Sequence, residues 1–158
     1  MKNFGVKSNA ADVIFKNVTK VYGQNSVAVD EISFSVKAGE LMTLLGPSGC
    51  GKTTTLRMIA GLEAATSGTI VIGGSDVTNR PASDRDVSMV FQSYALFPHK
   101  TVFENVCYGL IFSGLSKTDA EEKAKLGLEL VGLEHLKNRF PSELSGGQQQ
   151  RVAVARAL

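Results

Sequence analysis

The sequence has no tryptophan, only two cysteines and four prolines, and no run of apolar residues long enough to cross a membrane. A membrane-spanning helix needs about 18 or more consecutive apolar residues, so none is predicted. The segment Met1–Ala11 has no apolar stretch of about 7–15 residues and predicts no secretory signal. Cys50 and Cys107 are too few for a disulfide framework and are expected to be reduced thiols.

The sequence also has little excess charge of either sign. Lysine and arginine number 17 and aspartate and glutamate 15, which gives a net charge of +2. Binding of nucleic acid or lipid headgroups through charge needs a concentrated basic patch, so no nucleic-acid partner is expected. With 43% hydrophobic and 20% charged residues among 158, the composition predicts one globular domain with a packed core.

Short apolar runs predict alternating strands and helices. Two strands, Val13–Tyr22 and Ser26–Lys37, flank a Gly-Gln-Asn turn and are expected to be antiparallel. The apolar run Leu41–Leu45 is typical of a strand covered on both faces, as in a parallel sheet. Further strands are predicted at Thr69–Ile72 and Val87–Phe91. Helices are predicted at Lys52–Leu62, in the region 101–140 and at Ser145–Leu158. Within the region 101–140, Ser116 has the spacing of a helix cap.

The segment Gly46–Thr53, Gly-Pro-Ser-Gly-Cys-Gly-Lys-Thr, fits the pattern G-x-x-x-x-G-K-[ST]. Glycines let the backbone wrap an anion so that its N–H groups point inward, and a helix start adds the positive end of its dipole. Lys52 is expected to neutralise the β- and γ-phosphates of a triphosphate, and the Thr53 hydroxyl to bind Mg²⁺. Because the motif follows a predicted strand and opens a predicted helix, a glycine-rich turn without a ligand is strongly disfavoured.

A second pair of glycines opens the last predicted helix, in Leu144-Ser-Gly-Gly-Gln148. Ser145 and Gln148 have the spacing of a capping box, so the motif alone is compatible with a helix cap and no ligand. Two glycines in a helix nevertheless cost roughly 0.8–1 kcal/mol each relative to alanine. Bare backbone at a helix start is also an anion site. Both interpretations stay open on this motif alone.

The two motifs together resemble the nucleotide-binding subunits of ABC transporters. Gly46–Thr53 is similar to their Walker A loop, Leu144–Gln148 to their signature, Gln92 to the Q-loop glutamine and Tyr22 to the aromatic residue that stacks on adenine. The resemblance implies an α/β fold, a P-loop NTPase core with an amino-terminal antiparallel β subdomain and an inserted α-helical subdomain. It divides the chain into an antiparallel β part (1–40), a P-loop core (41–92), a helical subdomain (93–143) and a signature helix (144–158).

The resemblance also implies which residues hold ATP and Mg²⁺. One set would contact the nucleotide of its own subunit: Tyr22, Gly46, Pro47, Ser48, Gly49, Cys50, Gly51, Lys52, Thr53, Thr54 and Gln92. A second set would face the γ-phosphate bound to the other copy of a head-to-tail dimer: Leu144, Ser145, Gly146, Gly147 and Gln148. Thr53 and Gln92 are the implied contacts to Mg²⁺. No catalytic residue is identified.

The run Met89–His99 and its continuation Val102–Val106 are similar to bacterial importer ATPases, those for polyamines, ferric iron, sulfate, sugars or phosphonates. The resemblance implies ATP binding and hydrolysis that energise solute uptake at the cytoplasmic face of the inner membrane, where the subunit is peripheral. The implied partners are a second copy of the subunit, a transmembrane permease contacting Ser93–Val106 and, indirectly, a solute-binding protein.

One part of the family pattern has no counterpart among the 158 residues. The Walker B aspartate, the adjacent glutamate that polarises water and the switch histidine cannot be placed. The sequence is therefore expected to be truncated before the Walker B strand and to have little ATPase activity alone, because such groups act as a unit. Whether it is an active ATPase is left open.

Three alternatives carry less weight. The chain could be a non-hydrolysing or degenerate nucleotide-binding module, or a soluble ABC-type protein acting in repair or translation. A P-loop kinase would need lid arginines, for which Arg80 and Arg85 are the candidates in the middle region, and it would leave the second glycine motif unexplained.

Overall fold

A computed structural model describes residues 10–158, which form two compact units. One unit ends at Val87, and the other runs from Ser88 to Leu158. Each has its own cluster of buried apolar side chains. The first nine residues of the predicted β part lie outside the described residues, as does most of the segment for which the sequence predicts no secretory signal.

The first unit is built on a four-stranded antiparallel sheet. Its strands are β1 (Val13–Tyr22), β2 (Ser26–Val36), β3 (Ser67–Ile72) and β4 (Ser75–Asp76), in the order β2-β1-β3-β4. The predicted antiparallel pairing of the first two strands is confirmed, with Phe15 opposite Phe34. These two rings stack with their centroids 4.6 Å apart, which orients one face of the hairpin toward the core.

Helix α1 (Lys52–Ile59) packs on this sheet. Met58 is fully buried with Phe15 and Ile70, and burying an apolar side chain of this size stabilises the unit by about 1.5–3 kcal/mol. The helix ends before the predicted Leu62, because Gly61 adopts a left-handed φ of 71°. The packed carboxyl half of α1 therefore fixes the position of its amino-terminal end.

Two predicted strands, Leu41–Leu45 and Val87–Phe91, are wrong, because neither segment forms a strand. Leu41 is 92% exposed and Leu45 is 88% exposed. A strand needs a neighbour that takes up its backbone N–H and C=O groups, and no strand pairs with either segment among residues 10–158. An apolar run thus predicts a strand only where a partner lies beside it.

The second unit is helical, as the sequence predicts. It contains α2 (Val102–Phe112), α3 (Lys117–Leu130) and α4 (Gly146–Ala157). The predicted cap of α3 is confirmed, since the Ser116 hydroxyl accepts a hydrogen bond from the Asp119 N–H. The three helices share one buried cluster that includes Val106, Leu128 and Val152. This packing holds the amino-terminal end of α4 at a defined position within the unit.

Two further findings concern membranes and thiols. No helix formed by residues 10–158 has the length and apolar character needed to cross a bilayer.

Both cysteines are free thiols, Cys50 exposed and Cys107 buried. Burial raises the pKa of the Cys107 thiol, with smaller contributions from the Glu121 and Glu104 carboxylates, so Cys107 behaves as a small apolar side chain of the helical core.

Candidate functional site

The predicted phosphate loop lies directly before α1 and is seated on β2. Gly49 and Gly51 have left-handed φ angles of 83° and 88°. A Cβ atom at Gly51 would lie 2.3 Å from the carbonyl oxygen of Ala28. Only glycine fits there, because the backbone of β2 passes immediately behind it. The last glycine of the motif therefore both turns the chain and anchors the loop to the sheet.

Lys52, the first residue of α1, holds its ammonium group against this loop. Its Nζ donates hydrogen bonds to the carbonyl oxygens of Gly46 and Pro47 at 2.7 Å each, and lies 3.4 Å from Cys50 Sγ. The next residue, Thr53, is exposed, and its hydroxyl makes no hydrogen bond with the part of the chain that the structure describes. The loop therefore partly surrounds the Lys52 ammonium, and the Thr53 hydroxyl beside it has no hydrogen-bond partner among the described residues.

These groups suit a phosphate anion and its Mg²⁺. The first turn of α1 contains no acidic residue, so the helix dipole, the N–H groups and the ammonium all favour an anion. Within residues 10–158, no cluster of three or more histidine, cysteine, aspartate or glutamate side chains could hold a metal ion. Mg²⁺ is commonly bound through one or two protein ligands together with phosphates and water, and the Thr53 hydroxyl fits that role.

A groove of about 660 Å³ opens beside the loop. Its wall includes Ile32 and Phe34 of β2, and Cys50, Lys52 and Thr55 form its edge near the loop. The Thr55 hydroxyl donates to the carbonyl oxygen of Gly51 at 3.0 Å, which ties the base of the loop to α1. The loop is therefore supported on one side and open on the other.

The second glycine motif starts α4, and its predicted capping box is confirmed. The Ser145 hydroxyl accepts from the Gln148 N–H at 3.3 Å, and Gln148 Oε1 accepts from the Ser145 N–H at 2.8 Å. Leu144 is buried in the helical core. Gly146 and Gly147 are exposed, and a Cβ atom at either would meet nothing within 4 Å. Steric packing within the described residues therefore does not require glycine at either position.

Gln92 is exposed and begins a turn whose backbone is held from α4. The next residues include Tyr94 and Ala95, with left-handed φ angles of 61° and 48°. Such angles are unfavourable for residues with a Cβ. Arg156 compensates by donating to the carbonyl oxygens of Ala95 and Tyr94 at 2.7 and 2.9 Å. The end of α4 thus holds the segment that follows Gln92.

The fully buried Asn105 pins the following loop. Its Oδ1 accepts from the Phe97 N–H at 2.8 Å, and its Nδ2 donates to the carbonyl oxygens of Phe97, Lys100 and Thr101 at 2.9–3.2 Å. All polar atoms of the amide are thereby used. The conformation of the stretch 97–101 is consequently fixed by the hydrogen bonds of one buried side chain.

Tyr22 lies at the end of β1 with 39% of its surface exposed. Its hydroxyl donates to Glu63 Oε2 at 2.8 Å. The Lys20 ammonium forms an ion pair with Glu63 Oε1 at 2.6 Å and lies 4.8 Å from the centre of the Tyr22 ring. The ring is therefore restrained and retains exposed surface.

The predicted site residues divide between the two units. Tyr22 and Gly46–Thr54 belong to the unit that ends at Val87, whereas Gln92 and Leu144–Gln148 belong to the other. Within each unit the residues are positioned as described above.

Sequence reasoning missed the side chains that hold these elements: Lys20, Glu63, Arg85, Asn105 and Arg156. Arg85, weighed as a lid arginine, is instead buried and donates to the carbonyl oxygens of Met58 and Ile59 at the end of α1. A polar asparagine inside a predicted apolar helix was the available signal for Asn105. The other four form contacts between residues distant in sequence, for which no local pattern exists.

Comparison with known proteins gives concordant results. The sequence model of the family described as ABC transporter matches residues 29–158. The Fe(3+) ions import ATP-binding protein FbpC of Brucella abortus (strain 2308) is 66% identical over 92% of this chain, and the FbpC of Pasteurella multocida (strain Pm70) is 53% identical over 96%. The chain spans 41% and 43% of the length of these two relatives.

A solved structure, described as the dimeric post-hydrolysis state of the ATP-binding cassette MJ0796 bound to ADP and Pi, matches with a TM-score of 0.84 at 36% identity. The match covers 92% of this chain and 68% of that one. The fold class predicted from the sequence is thereby supported by a structural neighbour as well as by the two glycine motifs. The chain belongs to the ABC transporter family.

Proposed function

We propose that this chain binds ATP with Mg²⁺ through the phosphate loop and α1. The observation that carries the proposal is the position of the Lys52 ammonium, held at 2.7 Å by two loop carbonyl oxygens at the start of a helix without acidic residues. In this proposal Gly46–Thr54 bind the triphosphate, and Tyr22 stacks on the adenine. Thr53 and Gln92 contact Mg²⁺.

We infer that a second copy of the chain completes the site. Ser145 caps α4, and the helix starts with two exposed glycines, Gly146 and Gly147, that packing does not explain. This supports a role for the three residues at the γ-phosphate bound by another subunit. A relative of known structure is described as dimeric, which supports a dimer. The proposed arrangement is head to tail, with Leu144–Gln148 acting in trans.

The proposed biological role is energising solute uptake by a bacterial ABC importer. The relatives' names refer to import of Fe(3+) ions, which supports ferric iron as the solute class. The subunit would lie peripherally at the cytoplasmic face of the inner membrane. There Ser93–Val106, whose loop is pinned by Asn105, would contact the permease, which a solute-binding protein supplies.

Hydrolysis by these 158 residues alone is proposed to be slow. The one Asp-Glu pair of the sequence, Asp30-Glu31, lies inside β2 and before the phosphate loop, and none follows Leu144–Gln148 among the 158 residues. Phosphoryl transfer to water needs a residue that orients the water. A non-hydrolysing nucleotide-binding module is the second candidate, and the same observation favours it. A steady-state ATPase rate equal to that of a complete importer ATPase would contradict both.

The binding proposal is tested by Lys52→Ala, with Lys125→Ala as the matched control. Lys125 is exposed on α3. Since a charge-assisted hydrogen bond contributes about 1.5–3 kcal/mol, Lys52→Ala should weaken Mg-ATP binding by about ten- to hundredfold in isothermal titration calorimetry. Mg-ATP should also raise the melting temperature of the unaltered chain and the control. Equal affinity of all three proteins would overturn the proposal.

A further inference from the structure

We propose that Glu63 and Lys20 are positioning residues that hold the Tyr22 ring for recognition of the nucleotide base. This inference rests on the proposed function, in which Tyr22 contacts adenine and the loop binds the phosphates. It assigns to two residues, one after α1 and one within β1, a role in selecting the base, separate from phosphate binding.

The hydroxyl of Tyr22 is the first point of attachment. A tyrosine at the end of a hairpin strand can rotate about two side-chain bonds, and ordering it on binding would reduce the affinity. Donation from the hydroxyl to Glu63 Oε2 at 2.8 Å fixes the far end of the ring. The side-chain conformational entropy of Tyr22 is therefore lost on folding and not on nucleotide binding.

Lys20 is the second point of attachment. Its ammonium pairs with Glu63 Oε1 at 2.6 Å, donates to the carbonyl oxygen of Ala64 at 2.8 Å and lies over the Tyr22 ring. The side chains of Lys20 and Glu63 are only 13% and 23% exposed, so solvent competes weakly for these contacts. One side of the ring is covered by the ammonium, and a base would use the surface that remains exposed.

The backbone connects this cluster to the phosphate loop. The Thr66 N–H donates to the carbonyl oxygen of Thr19 at 2.8 Å, and the Thr66 hydroxyl accepts from the Val21 N–H at 3.0 Å. The stretch 63–66 that follows α1 is therefore fastened to the end of β1. Because α1 begins at the phosphate loop, the helix and the segment after it connect the loop to this cluster.

The test compares a ligand that has a base with one that lacks it. Mg-ATP and Mg-tripolyphosphate share the phosphate chemistry, but only Mg-ATP can stack on Tyr22. Base stacking on an aromatic side chain accounts for about five- to hundredfold in affinity. Glu63→Ala and Lys20→Met should each lower the affinity for Mg-ATP by about three- to tenfold, as a fraction of that gain, and change that for Mg-tripolyphosphate less than twofold.

Three further variants complete the experiment, all titrated in the intact chain with folding checked by circular dichroism. Glu63→Gln keeps an acceptor for the tyrosine hydroxyl and should retain most of the Mg-ATP affinity. Tyr22→Ala should lose the preference for Mg-ATP altogether. Glu122→Ala, which removes an exposed carboxylate of α3, should change nothing.

Each outcome separates the inference from the proposed function. If Glu63→Ala weakens both ligands equally, the cluster is only structural and the inference is wrong. If Tyr22→Ala shifts the preference while Glu63→Ala and Lys20→Met do not, the inference fails and the proposed function stands. If Tyr22→Ala leaves the preference unchanged, the adenine role in the proposed function is wrong. Should Glu63→Ala not fold, Lys20→Met decides the question by the same comparison.

Discussion

Arg85→Met removes a cation that caps the carboxyl end of α1 and lies in the same unit as the helix. Arg85 is 8% exposed, and its guanidinium donates five hydrogen bonds, all to backbone carbonyl oxygens. Two acceptors, Met58 and Ile59, lie at 2.6 and 3.0 Å in the last turn of α1. Carbonyl groups at a helix end have no partner within the helix, and a cation there also faces the negative end of the dipole.

The expected loss of stability follows from these contacts. A hydrogen bond from a charged donor contributes about 1.5–3 kcal/mol, and a buried carbonyl left without a partner costs about 1–3 kcal/mol. Burial lowers the pKa of the Arg85 guanidinium, and the cost of burying this charge offsets part of the gain. Arg85→Met should therefore lower the free energy of unfolding of the first unit by about 3 kcal/mol, a large share of the ~5–15 kcal/mol typical of proteins.

Hydrogen–deuterium exchange of peptides covering α1 measures this change locally. A loss of about 3 kcal/mol corresponds to exchange that is roughly hundredfold faster. Arg85→Lys should give an intermediate rate, since an ammonium has three donors and lacks the planar geometry of a guanidinium.

The matched control is Arg80→Met. Arg80 is exposed and its side chain makes no hydrogen bond with the described residues, so its substitution should change the free energy of unfolding by less than about 0.5 kcal/mol. Exchange in Arg85→Met that is less than threefold faster than in the unaltered chain would refute the reasoning that the guanidinium stabilises the end of α1.

Three further predictions concern both units. Asn105→Leu should release the 97–101 loop and lower the free energy of unfolding of the second unit by about 2–4 kcal/mol, seen as faster hydrogen exchange of that loop; unchanged exchange would exclude Asn105 as its anchor. Ser145→Ala should remove the α4 cap and cost about 1 kcal/mol, measured as a lower urea midpoint, whereas Ser145→Asp should restore it. Hydrogen bonds from Lys20 and then Tyr22, with a smaller charge effect of Arg57, hold the pKa of Glu63 below its ordinary 4.5. The stabilisation by Glu63 is therefore complete above pH 4.5 and lost as the pH falls through its lowered pKa; a Glu63→Gln variant with the same acid dependence as the unaltered chain would contradict this.

Both helix starts could be predicted because their determinants lie close together in sequence. The hydrogen bonds of the Ser145 and Gln148 capping box join residues three apart, and Lys52 reaches the loop carbonyls five and six positions before it. The β1–β2 hairpin was predictable for a similar reason, since a short turn places its two alternating strands side by side.

The strand predicted at Leu41–Leu45 failed because its formation depends on a neighbour. Its residues are as apolar as those of a buried strand, but Leu41 and Leu45 are almost fully exposed. Whether such a segment forms a strand depends on whether another strand pairs with it, and the tertiary fold determines that pairing. The division into four parts at 40, 92 and 143 stays a prediction.

By itself, the sequence determined where two amide-rich helix starts form, because capping boxes and phosphate loops are made by hydrogen bonds between near neighbours. Only the tertiary structure decided what supports them. Glu63 meets Tyr22 across 41 positions, and Arg156 meets Ala95 across 61. Such contacts follow from how strands and helices pack, and no periodicity in the chain encodes them.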